Sequence, residues 1–476
     1  MRIIILFLLL GVGFSTAAQT DWLSKLHEAY PDYQEKSLED RRFKHRELVD
    51  ALQKLESPFQ VQQEGLSVEE RSIHSVRIGD GPTTVLLWSQ MHGDEPTATA
   101  ALMDIFCFLQ AKDDDFTAFR KNILDRLTLV FIPMLNPDGA EDFERRNALG
   151  IDLNRDALRL TSPEAQLLKR VRDELDADWG FNLHDQSRYY GAGFHSENMA
   201  TLSFLAPAFD FPKTINPGRE RAMQVIAQLN TALQRHIPGK VARYSDAFEP
   251  RAFGDNMQKW GTSTILIESG GYPEDREKQY IRQLNFASIL AACHSIANQS
   301  YRNFSRSDYN KIPYNQGSVY NDLLLREINY LHPNGNSYLM DIAFDLGERE
   351  YGGANGFYYQ GRIDDIGDLT YQQGYTALSS GNYTAEVGKL FPEVLADLAE
   401  AKALDAMSLL KAGYAVVRTK KPGPPWERDQ HPLWILGAEG IYDREVATGL
   451  NPPLIIRNGA GEVVYAVING QLVKVE

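Results

Sequence analysis

Thr84-Val-Leu-Leu-Trp88-Ser-Gln-Met-His92-Gly-Asp-Glu95 passes from an apolar run into a polar, glycine-containing turn, and residues 97–110 resume as a helix-forming stretch. A short apolar run bounded by turn chemistry reads as a strand buried on both faces, and a strand that exits through a turn into a helix is the unit of an α/β sheet. Three more segments supply chemically useful side chains: Gly150-Ile-Asp-Leu-Asn-Arg-Asp156, Asn182-Leu-His184-Asp and Ile267-Glu268-Ser. The segments holding His92, Glu95 and His184 offer two imidazoles and a carboxylate. That donor set suits a zinc ion with one position left open. The second segment offers fixed positive charge, and Glu268 a carboxylate able to act as a base.

The same alternation continues along the chain. Residues 127–132, 179–183 and 264–267 read as strands, and residues 163–175, 219–236 and 280–298 as helices. The pattern predicts an α/β fold whose sheet is covered by helices on both faces. His92, Asn136, His184 and Glu268 each follow the carboxyl end of a predicted strand, where open α/β sheets form their ligand crevices. Upstream, residues 22–55 are polar and helix-prone, and residues 59–62 and 72–78 form a strand-like pair followed by a turn at 79–82. Beyond about residue 310 the alternation stops. Strand-like pieces at 337–343 and 413–418, a hairpin-like pair at 453–458 and 463–468, and a helix from about 392 to 411 predict a second, β-rich domain. The expected plan is a signal peptide over 1–18, a catalytic domain over 19–305 with an N-terminal helical segment at 19–58, and an accessory domain over 310–476. His332 and His431 stand alone beside prolines and read as surface or turn residues.

A formal net charge of −15 argues against nucleic acid and against charge-driven binding to anionic lipid. Arg2, the apolar residues 3–14 and the small residues Thr16-Ala17-Ala18 make a secretory signal. The run is shorter than the ~20 residues that span a bilayer, so no stable membrane anchor is expected. The protein is therefore expected to be exported, to a periplasm or to the extracellular space. Cys107 and Cys293 are the only cysteines, which excludes a disulfide framework. They read as buried free thiols, with a single disulfide between them as the alternative.

His-x-x-Glu alone is a common pattern, and a lone histidine at a strand end is as often a core residue as a ligand. The ordered set is more specific. His92-x-x-Glu95, Asn136-Pro-Asp-Gly139, Arg145-x-Asn147-x-x-Gly150-x-Asp-x-Asn154-Arg155, His184 and a strand-end Glu268 together resemble the zinc carboxypeptidase (carboxypeptidase A-like) family over about residues 60–300. The resemblance implies an α/β/α fold around a mixed, mostly parallel sheet of about eight strands. It also implies one Zn2+ held by His92, Glu95 and His184, with water at the fourth position. Glu268 then matches the general base, Arg145 the oxyanion-stabilising arginine, and Asn154 with Arg155 the pair that binds a terminal carboxylate. Asp152 matches the carboxylate that orients the His92 ring. Arg146 is a register rival of Arg145. Tyr244 stands roughly where the family has a mobile tyrosine, and a strand-core residue is its other reading. Arg251 and Asp255 fall where a specificity pocket would have its wall, either contacting substrate or pairing with each other.

The expectation is thus a secreted zinc metallocarboxypeptidase acting on peptides with a free C-terminus. A zinc amidase or peptidase acting on cell-wall peptides is the nearest alternative. A non-catalytic peptide- or glycan-binding protein is the alternative from a different class.

Overall fold

The strand that opens at Thr83 splits its side chains between two cores. The computed structural model describes residues 21–194, 196–379 and 381–475; the expected signal peptide lies outside the described residues. The first strands are β1 (Gln60–Leu66), β2 (Ser72–Ile78), β3 (Thr83–Ser89), β4 (Leu127–Ile132), β5 (Trp179–Asp185), β6 (Gly191–Ala192), β7 (Leu202–Leu205), β8 (Val241–Arg243) and β9 (Ser263–Ser269). All but β6 join one sheet in the order β1-β2-β4-β3-β5-β9-β7-β8. The central strands β4, β3, β5 and β9 run parallel, while β1, β2 and β7 are antiparallel to their inner neighbours. The mixed sheet is therefore parallel at its centre.

Side chains alternate across a strand, so Val85 and Leu87 enter one core and Leu86 and Trp88 the other. The first core is closed by α1 (Trp22–Ala29), α2 (His45–Leu52), α3 (Thr97–Gln110), α4 (Thr117–Leu124), α7 (Pro217–Leu233) and α9 (Gln279–Asn298). Between α4 and α7 come α5 (Pro137–Asp142) and α6 (Pro163–Leu175); α6 closes the second core with α8 (Phe253–Lys259). Each large apolar side chain buried this way contributes about 1.5–3 kcal/mol relative to exposure. At the edge, β1 alternates few apolar residues and is largely solvent-facing.

The helix-prone N-terminal segment is broken rather than continuous, because Pro31 enters a 3-10 turn straight after α1. It is nonetheless tied into the first core. Asp104 of α3 accepts Tyr30 Oη at 3.1 Å, the Glu35 amide at 2.8 Å and Arg282 Nε of α9 at 2.6 Å. Three segments thus meet on one buried charge pair. The α7 helix begins two residues earlier than its periodicity suggests. Pro217 suits the first helical position, and Asn216 caps the Arg219 amide.

After α10 (Arg306–Asn310) the chain builds the β-rich region: β10 (Asn315–Gln316), β11 (Tyr320–Leu331), β12 (Ser337–Tyr351), β13 (Gly356–Gly367), β14 (Gln373–Ser379), β15 (Thr384–Val387), β16 (Lys389–Asp397), β17 (Tyr414–Lys421), β18 (Trp434–Gly437), β19 (Leu454–Arg457), β20 (Val463–Ile468) and β21 (Gln471–Lys474). A large sheet runs β13-β12-β11-β15-β19-β20-β21, with β14 also paired to β11, and β16-β17-β18 form a small parallel sheet. The expected terminal hairpin is present as antiparallel β19 and β20. The helix expected from about 392 to 411 is not. Residues 389–397 are strand β16, and only α11 (Leu398–Lys402) and α12 (Ala406–Lys411) are helical. Asp397 caps the Glu400 amide and Asp405 the Ser408 amide, so two aspartates start two short helices in place of a single longer one. Both cysteines are free thiols, Cys293 buried and Cys107 half-buried. Among the described residues no helix is long and apolar enough to cross a membrane.

Candidate metal centre and its cleft

The turn after β3 is shaped by backbone crowding. A Cβ on Gly93 would lie 1.9 Å from the Gly139 carbonyl carbon, so only glycine lets this turn rest on the start of α5. The Glu95 amide donates to the His92 carbonyl and closes the turn. His92 and Glu95 then face His184, which projects from the end of β5. Glu95 Oε1 is 2.8 Å from His92 Nδ1, and Glu95 Oε2 is 2.7 Å from His184 Nδ1. All three side chains are buried, and their ligand atoms lie within 4.8 Å of one another.

The remaining contacts fit a zinc site. His92 Nε2 is 3.1 Å from Asp152 Oδ1, an acceptor that keeps the ring proton at Nε2 and leaves the Nδ1 lone pair for a metal. Burial alone would lower the His92 pKa, but Glu95 and Asp152 outweigh it and push it up to about 9. Burial opposes ionisation of Glu95 as well; His92 and His184 overcome it and hold that carboxyl far below the ordinary glutamate range. Burial lowers the His184 pKa. Two nitrogens and an ionised oxygen converging in a buried pocket are what zinc accepts.

Arg145 reaches the same point from the loop after α5. Its Nη1 is 3.1 Å from His92 Nδ1 and 3.2 Å from Glu95 Oε1, while Nε and Nη2 donate to Asp152 Oδ2 at 3.2 and 3.1 Å. Arg146, its neighbour, instead donates to the Gly150 carbonyl at 2.9 Å. Asn147 shapes the loop that follows. Its Oδ1 accepts the Leu149 and Ile151 amides, and its Nδ2 donates to Glu164 at the start of α6. Asn154 Oδ1 accepts the Phe253 amide at 2.9 Å and joins this loop to α8. Arg155 leans on Glu249 at 3.6 Å.

Glu268 pairs in register with His184 across β9 and β5 and is buried. Burial, then the neighbouring charges of Glu95 and Asp185, raise its pKa well above the ordinary glutamate value. Tyr244 follows β8 directly, its amide donating to Phe204 O. Its side chain lines the cleft rather than a strand core. Burial and the nearby Glu268 raise its pKa. Arg251 and Asp255 do not pair with each other. Arg251 pairs with Glu249, and Asp255 accepts the Glu249 amide. Asp255 lines the cleft and its pKa is pushed up to about 7 by burial.

The cleft holding these groups is about 350 Å³. It contains residues that sequence reasoning passed over. Tyr190 lines it, its ring 6.4 Å from that of Tyr244, and Glu249 anchors Arg155. Neither stands in a periodic run, so no sequence signal marks them. Asp185 also lines the cleft, and its Oδ2 accepts Thr97 Oγ1 at 2.6 Å and Lys278 Nζ at 2.9 Å.

The class that this fold and site resemble is the zinc carboxypeptidase family, whose family model matches residues 45–184. That span includes His92, Glu95, Arg145, Asp152, Asn154, Arg155 and His184, and ends before Tyr244 and Glu268. The probable carboxypeptidase 2 of Arthroderma benhamiae is 25% identical over 121 residues, covering 25% of this chain and 20% of that protein. Carboxypeptidase 2 of Trichophyton tonsurans is 24% identical with the same coverage. The chain thus spans about a fifth of the length of the curated relatives it matches. Among solved structures, a metallo-carboxypeptidase from Burkholderia cenocepacia is 18% identical with a TM-score of 0.43, covering 54% of this chain and 69% of that one. Bovine thrombin-activatable fibrinolysis inhibitor, in complex with tick carboxypeptidase inhibitor, is 13% identical with a TM-score of 0.43, covering 55% and 98%.

Proposed function

We propose that this protein is an exported zinc metallocarboxypeptidase that hydrolyses the last peptide bond of a peptide with a free C-terminus. The observation that carries the reading is the convergence of His92, Glu95 and His184 beside Glu268 in one cleft. Zinc held by those three residues would polarise the scissile carbonyl and lower the pKa of a water molecule. Glu268 would take a proton from the attacking water and pass it to the leaving amine. A raised pKa suits the task, because a base works best when its pKa lies near the working pH. Arg145, always charged, donates to the oxyanion that develops on the carbonyl oxygen. Arg155 has a planar fork suited to a carboxylate, and with Asn154 it receives the substrate's terminal carboxylate. Asp152 orients His92, and Tyr244 contacts substrate in the cleft that it lines. On this reading residues 1–18 are a signal peptide, residues 19–305 the catalytic domain and residues 310–476 an accessory domain.

The test is a mass-spectrometric comparison of matched peptides with free and amidated C-termini. Loss of one residue from the free peptide alone is expected. Equal cleavage of both contradicts a carboxylate-dependent enzyme.

A further inference from the structure

The loop that follows His184 has little structure of its own. Between β5 and β6 its internal bonds are few: the Tyr189 amide reaches Ser187 Oγ at 3.3 Å and the Tyr190 amide reaches Ser187 O at 3.4 Å. Gln186 and the Tyr190 carbonyl bond mainly within the α/β region, whereas Arg188 and Tyr189 are taken up by the β-rich region. Asp322 of β11, 7% exposed, lies 2.9 Å from Arg188 Nη2 and accepts Tyr189 Oη at 2.7 Å and the Leu346 amide of β12 at 2.7 Å. The Tyr189 carbonyl accepts the Val319 and Tyr320 amides, each at 3.1 Å. Tyr375 Oη donates to the Arg188 carbonyl at 2.6 Å, and the Arg188 guanidinium lies 4.6 Å over the Tyr375 ring. β6 pairs antiparallel with β10, and Asn315 Nδ2 donates to Gln186 Oε1 at 3.0 Å.

Two glycines show how closely this grip reaches the cleft. A Cβ on Gly317 would lie 3.1 Å from Tyr190 Cε1, so the β-rich region supports the ring that faces Tyr244. A Cβ on Gly271, three residues past Glu268, would lie 2.0 Å from Tyr375 Oη and 2.8 Å from Arg188 Cβ. The same contact therefore braces the exits of both strands that carry His184 and Glu268.

We propose that the β-rich region is a working part of the cleft, with Asp322 acting through Arg188 as a positioning residue that holds Tyr190 against bound peptide. The proposal rests on the peptidase reading for the identity of the ligand, but not for the loop geometry. An ion pair used only as interface glue has little to recommend it, since desolvating two charges largely cancels their attraction. Here the pair fixes a loop that has few internal bonds and carries a cleft residue.

The experiment compares full-length Asp322→Asn, Tyr190→Ala, the double variant and wild type. Asp322→Asn keeps shape and removes charge. It is expected to raise KM about tenfold with kcat and zinc content nearly unchanged, the scale of one lost charged hydrogen bond. In the Tyr190→Ala background the same substitution should change KM little, because the residue through which it acts is gone. A lower Tm with unchanged KM, or additive effects on KM, would overturn the proposal. Gly317→Ala, which presses on Tyr190 without touching the ion pair, should raise KM as well and serves if Asp322→Asn does not fold. Hydrogen–deuterium exchange over residues 186–192 needs no activity. Faster exchange there in Asp322→Asn supports the clamp even if wild type proves inactive on peptides, and unchanged exchange refutes it.

Discussion

Asp322 and Asp341 of the β-rich region and Glu268 of the α/β region are buried carboxylates in opposite settings. In the β-rich region, Asp341 accepts the Glu327 and Leu369 amides, and Asp322 accepts the Leu346 amide beside its Arg188 partner. Each is surrounded by donors that its charge satisfies. In the α/β region, Glu268 is buried beside Glu95 and Asp185, so its neighbours oppose its charge. A carboxylate that gathers amides is holding a loop. One placed against like charges beside a ligand set is, on the proposed function, held ready to exchange a proton.

The largest effect that this contrast predicts is on turnover. Glu268→Gln should lower kcat by about 10²–10⁴-fold while zinc content stays at the wild-type level; near-normal hydrolysis would remove Glu268 from the role of base. Stability should respond next. Asp104→Ala leaves Arg282 buried without its partner and should cost about 3–5 kcal/mol in denaturant unfolding. A loss under about 1 kcal/mol would mean that the N-terminal segment is not pinned by this pair.

Neutralising one carboxylate from each region should then give opposite signs. Asp322→Asn strips a charged partner from Arg188 and should destabilise by about 1–3 kcal/mol. Glu268→Gln should raise the Tm of the metal-free protein near neutral pH. A carboxyl whose folded pKa is raised contributes stability that is fully present below its unfolded pKa. That contribution is lost as pH rises through the folded value, so a neutral amide removes the penalty. The Tm gain should therefore shrink as the pH is lowered toward the ordinary glutamate range. Equal signs for the two variants would break the comparison.

The difference between the regions also governs what could be read from sequence. Val85 to Trp88 and Leu129 to Ile132 are continuous apolar runs because their strands are buried on both faces, and such runs stand out. The ligand set was legible because His92 and Glu95 are three apart and His184 closes a strand. Short β7 and β8 gave no such run, although they carry the chain to Tyr244. In the β-rich region Leu390, Phe391, Val394 and Leu395 satisfy helical spacing, yet they form β16, since pairing with β17 is a tertiary decision that local periodicity does not record. The Arg188–Asp322 pair joins residues in different regions, and nothing local to either residue announces the other.

The central claim is that His92, Glu95 and His184 form one zinc site. Elemental analysis of purified wild type and His184→Ala, with circular dichroism to confirm that both are folded, tests it most directly. The account predicts about one zinc per wild-type chain and loss of that zinc in the variant. Full zinc occupancy in a folded His184→Ala protein would contradict it.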